Sequence, residues 1–93
     1  MVNKKQIHRI ANLYLKNNLR DYPGTFKALR FNPSFDEFVD LCTEKLLMLS
    51  GEGWVPSAGV LERYVEDRLR EWCIKKIPNT ADMFPLPRPP RGV

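Results

Sequence analysis

The side chains in this sequence best equipped for chemistry are His8, Cys42, Cys73 and a run of carboxylates, and their spacing argues against catalysis. His8 is the single histidine and sits among Lys and Arg in "NKKQIHRI", with no Ser or Cys beside it to form a nucleophilic pair. Cys42 and Cys73 stand far apart, so with one histidine they make no zinc constellation; both are expected to pack as small apolar groups. Asp36, Glu37, Asp40 and Glu44 are spaced for a solvated helix face rather than a buried acid–base pair. Gly51-Glu52-Gly53 lacks the lysine, the third glycine and the preceding strand of a phosphate loop. The expectation is a protein that is not an enzyme and needs no cofactor and no metal.

Binding is left, and charge is the guide to it. The formal net charge is +4 over 93 residues. Residues 1–31 carry Lys4, Lys5, Arg9, Lys16, Arg20, Lys27 and Arg30 against Asp21 alone, a balance of +6. Residues 32–71 sum to −5, and residues 72–93, with Lys75, Lys76, Arg88 and Arg91 against Asp82, to +3. Basic ends thus flank an acidic middle. Cations gathered on one face would draw an anionic polymer or an acidic protein surface.

The elements that would position these charges begin with a secure one. Phe35, Phe38, Val39, Cys42, Leu46 and Leu49 fall at the spacing of one helix face, with Asp36, Glu37, Asp40, Glu44 and Lys45 opposite. Ser34 followed by Glu37 reads as a capping box, and Gly51 and Gly53 close the helix, which spans 34–49. Before it, "IANLYLKNN" alternates Ala11, Leu13 and Leu15 with Asn12, Tyr14 and Lys16 as a half-buried strand would, although Ile7, Ile10, Ala11 and Tyr14 also make a helical stripe. Tyr22-Pro23-Gly24 reads as a type II turn, and "TFKALRF" is a second short run cut by Asn32-Pro33. A β-hairpin is the preferred reading of the two runs. After Ser57, a potential cap, Val60, Leu61, Tyr64, Val65, Leu69 and Trp72 sit near helical spacing, but "VLERYV" and "LREWCIKKI" could equally be two strands. Five of the eight prolines fall from Pro78 onward, as in an extended tail, and its Pro87–Pro90 PxxP match has its basic flank in the wrong place for an SH3 ligand.

Leu13 to Leu46, "LYLKNNLRDYPGTFKALRFNPSFDEFVDLCTEKL", resembles the first half of a doublecortin domain. The resemblance runs through the turn Asn17-Asn18, Tyr22-Pro23-Gly24, the run Phe26 to Phe31 and the helix start Ser34-Phe35-Asp36, and loosely through Gly59-Val60, Arg63-Tyr64 and Asp67. It departs where the family has Asn-Gly, here Asn17-Asn18, and where a glycine follows the third strand's Asp, here Arg68. A lone domain of this kind would be similar to the apicortin group of parasite proteins. The resemblance implies an α+β, ubiquitin-like β-grasp: a β-hairpin, a central helix at 34–49, and further strands or a second helix after 57. A small all-α domain is the alternative.

The resulting expectations are a doublecortin-like domain at 1–78 and a Pro-rich tail at 79–93. Function is expected to be binding to tubulin and stabilisation of microtubules. Lys4, Lys5, Arg9, Lys16, Arg20, Lys27, Arg30, Lys75 and Lys76 are the electrostatic candidates, taken from charge and not from a family motif. A protein-interaction module anchored by Trp54 or Trp72 is the second reading. A small helical nucleic-acid binder is the third, disfavoured because a hairpin would bury most of Tyr14, Tyr22, Phe26 and Phe31. No apolar run approaches a membrane span, and the basic start lacks a signal-peptide core, so a cytoplasmic, cytoskeletal location is expected, with no membrane contact.

Overall fold

The computed structural model describes residues 2–51, 53 and 56–84, and among them every regular element is helical. The order is α1 (Lys4–Asn18), α2 (Pro23–Arg30), α3 (Ser34–Ser50), α4 (Ala58–Lys76) and a 3-10 segment at Pro78–Met83. The α+β expectation is therefore corrected: no strand and no hairpin occurs among the described residues, and the fold is the all-α alternative. Without a sheet among the described residues, they do not form the β-grasp that the doublecortin resemblance implied.

Each misread element has a local reason to be helix. In α1 the Asn3 side chain accepts from the Gln6 amide at 2.9 Å, satisfying one of the free N–H groups at the helix start. Ile7, Ala11, Leu15 and Leu19, four residues apart, are buried in line, while Leu13, which created the apparent alternation, is 49% exposed. Pro23-Gly24 makes no turn. Pro23 opens α2 at the one helical position that needs no N–H, and the Phe26 amide donates to the Tyr22 carbonyl at 2.9 Å.

The central helix extends over Ser34–Ser50, one residue beyond expectation, but its cap differs. Ser34 lies inside the helix, and Asn32 does the capping: its Oδ1 accepts from both the Ser34 amide, at 2.9 Å, and the Ser34 hydroxyl, at 2.8 Å. Beyond α3, Gly53 has φ +89°, a conformation a side chain would strain, and its amide donates to the Ser50 carbonyl. The strand reading of residues 60–77 also gives way to helix: Ser57 Oγ accepts from the Val60 amide, and Leu61, Val65, Leu69 and Cys73 line the buried face of α4.

Phe35, at 1% exposure, is the hub of the core. His8 meets its ring edge-on at 5.6 Å, Trp72 at 6.0 Å, and the Arg30 guanidinium lies 4.8 Å from its centroid. Lys4–Asp40 and His8–Phe35 show α1 and α3 running antiparallel. The 3-10 segment folds back over α4. Thr80 is buried with its hydroxyl donating to the Ile77 carbonyl, Phe84 stacks on Tyr14 at 5.5 Å, and Arg70 Nε donates to the Phe84 carbonyl at 3.1 Å. Pro87–Pro90 and Trp54 lie outside the described residues.

Candidate functional site: a cationic row on the outer face of α1

At 100° per residue, Lys5, Arg9 and Lys16 fall within about 40° of arc on the side of α1 opposite Ile7, Ala11 and Leu15. All three are exposed, and Arg20, also exposed, continues the line just past the helix end. From Lys5 to Lys16 the row runs about 16 Å. α1 contains no acidic residue at all. Among the described residues, no carboxylate comes within ion-pair distance of any of the four.

The other charge-derived candidates are dispersed or already engaged. Lys4 turns toward α3 and pairs with Asp40 at 2.8 Å, a contact that raises its pKa through the hydrogen bond first and the carboxylate's charge second. Arg30 is half-buried: its Nε donates to Asn12 Oδ1 at 2.8 Å, its Nη2 lies 3.2 Å from His8 Nε2, and its plane covers Phe31 and Phe35. It ties α2 to α1 and α3 and is a structural residue. Lys27 is exposed on α2, and Lys76 is exposed at the end of α4. Lys75 lines a separate groove between α3 and α4.

A hollow lies at each end of the row. Asn3, Lys5, Gln6 and Arg9 surround the first. The second, about 330 Å³, opens at the α1–α2 corner between Lys16, Asn17, Leu19, Arg20, Pro23 and Phe26. Leu19, one of these, is 1% exposed. Sequence reasoning missed Asn17, Pro23 and Phe26 as site residues because the hairpin separated them. The four-residue steps from Lys5 to Arg9 and from Lys16 to Arg20 were the signal, visible only once α1 is read as a helix.

The third feature is the groove lined by Phe38, Leu41, Cys42, Tyr64, Arg68, Glu71, Trp72 and Lys75, about 240 Å³ in volume. Leu41 on its wall is 59% exposed. Arg68 lies over the Tyr64 ring at 5.1 Å. Trp72 is half-buried against Phe35 and Phe38.

The thiols are poorly placed for reactivity. Burial pushes Cys42 up to about 11 and Cys73 up to about 12, so both are neutral at ordinary pH. Among the described residues no three His, Cys, Asp or Glu side chains gather into a metal-binding group, and no helix is long and apolar enough to cross a membrane. No protein-family model, curated protein or solved structure matches the chain.

Proposed function

We propose that this chain is a non-catalytic binding domain that holds the phosphate backbone of a nucleic acid along the outer face of α1. One observation carries the reading: Lys5, Arg9, Lys16 and Arg20 form a single exposed row, and among the described residues no carboxylate is paired to it. Lysines and arginines on a rigid helix neutralise successive phosphates and release their counterions, which is the main source of sequence-independent affinity. The burial expected of a hairpin holds in part for Tyr14 and Phe26, which pack against the core, but not for the other two aromatics. Tyr22, two residues from Arg20, is 46% exposed, and Phe31 is 68% exposed, so aromatic faces remain near the basic residues.

The same row would attract the acidic outer surface of a microtubule, with the cytoplasmic setting that entails. That reading retains the charge and loses the fold on which the doublecortin resemblance depended. Fluorescence anisotropy with a labelled oligonucleotide of about 12 nucleotides, in the size range of single-strand sites, should be run beside pelleting with stabilised microtubules. The wild-type chain is expected to bind the oligonucleotide at low salt, and the K5Q/R9Q/K16Q/R20Q variant to lose at least tenfold on the order of its affinity. Binding by the variant as tight as by the wild type would defeat the proposal. Pelleting without oligonucleotide binding would transfer the row to tubulin.

A second reading is favoured by the α3–α4 groove. Trp72, Tyr64 and Arg68 are residue types that anchor protein contacts, and here they line one recess beside the exposed Leu41. This is the interaction-module reading with Trp72 as its anchor.

A further inference from the structure

We infer that the cleft at the α1–α2 corner takes one unstacked base, so that the domain selects single strands over duplex. The inference rests on the phosphate-backbone reading of the α1 row and names the class of nucleic acid that the row holds.

The cleft and the row share residues. Lys16 and Arg20 belong to both, so a strand following the cations arrives at the cleft's rim with its phosphates already neutralised. Inside, the surfaces suit a flat ring. Phe26 and Pro23 contribute their rings to the lining from α2, beside the buried Leu19. The exposed Asn17 amide supplies one donor and one acceptor at the rim, the complement of a base edge. At about 330 Å³ the space is at the small end of ligand clefts, a size for one base with its sugar.

Duplex does not offer such a group. Its bases are stacked and paired, and only an unpaired strand can turn a ring out of line without first breaking a base pair. Stacking on aromatic side chains is sequence-tolerant because every base has a π-face, so the cleft gives a preference for strandedness rather than for sequence. Tyr22, exposed beside Pro23, lies where a neighbouring base could rest.

The test uses the whole chain and three labelled probes of equal length: an oligothymidylate, an abasic deoxyribose-phosphate oligomer, and a duplex. The abasic probe keeps every phosphate and removes every base. The oligothymidylate is expected to bind roughly tenfold more tightly than the abasic probe, and more tightly than the duplex. F26L and N17A should each narrow the gap between oligothymidylate and abasic probe. A circular dichroism spectrum matching wild type excludes unfolding, and N17A alters an exposed residue whose loss leaves the core intact. Equal binding of the oligothymidylate and the abasic probe overturns the base-binding inference while the row stands. Failure of all three probes to bind at low salt overturns both.

Discussion

At the scale of single residues, several side chains marked by type as potential chemistry are used for holding the fold. Arg30 is the clearest case. Its contacts with Asn12, His8 and Phe35 place a cation where three helices meet, and the planar fork makes two directed contacts that a lysine would not reproduce. The buried thiols and Tyr14 give a testable pH dependence. In the folded chain Cys42 is raised to about 11, Cys73 to about 12 and Tyr14 to about 12, in each case chiefly by burial. For Tyr14 the nearby Cys73 charge is the next cause. The ordinary values are 9.0 for the thiols and 10.0 for tyrosine. A raised acid holds its proton more tightly when folded, so above pH 9 the unfolded chain ionises first and is favoured. The stability these three groups contribute should therefore be level below about pH 9 and fall between 9 and 12. Each such group contributes a slope of about 1.4 kcal/mol per pH unit within its window. Urea unfolding across this range should show a shallower alkaline fall for Cys73→Ala than for wild type, and identical slopes would mean that the thiol is not buried as described.

At the scale of elements, legibility depended on how many local signals agreed. α3 was readable because apolar spacing, acids in the first turn and terminal glycines all pointed one way. α1 was misread because one exposed apolar residue, Leu13, gave a helix the appearance of period two. Pro23 was ambiguous for a deeper reason. The ring fixes φ near the same value in the second position of a turn and the first of a helix, so the dipeptide alone cannot distinguish them. The cationic row inherited that error: its residues were all named, but a strand scatters them over two faces where the helix aligns them. The two readings of α1 make opposite predictions for a pair of substitutions with the same chemistry. A strand places Leu13 and Leu15 on one side, so truncating either should cost alike. The helix leaves Leu13 half exposed and buries Leu15 completely. Leu15→Ala should cost about 2–5 kcal/mol, and Leu13→Ala about 0.5 kcal/mol or less. Chemical denaturation of both variants decides it, and equal losses would restore the strand.

At the scale of the whole molecule, charge is divided between faces. α1 presents cations alone on its outer side, whereas the exposed side of α3 carries Asp36, Glu37, Asp40 and Glu44, with Lys4–Asp40 as the bridge between them. A polyanion approaching α3 is repelled and one approaching α1 is attracted, so the domain should engage in one orientation. The strength of that engagement is countable. If Lys5, Arg9, Lys16 and Arg20 each neutralise one phosphate of a single strand, the logarithm of affinity should fall with the logarithm of salt at a slope of about −3. Removing one member, as in Arg9→Gln, should lower affinity on every sequence tested and reduce the slope by about 0.7. Lys75→Gln and Lys76→Gln, which alter cations on α4, should leave the slope where it was. An anisotropy titration series over salt separates the cases. A slope that responds to Lys75 or Lys76 as strongly as to Arg9 would show that binding follows net charge, and the alignment of cations on α1 would then carry no function.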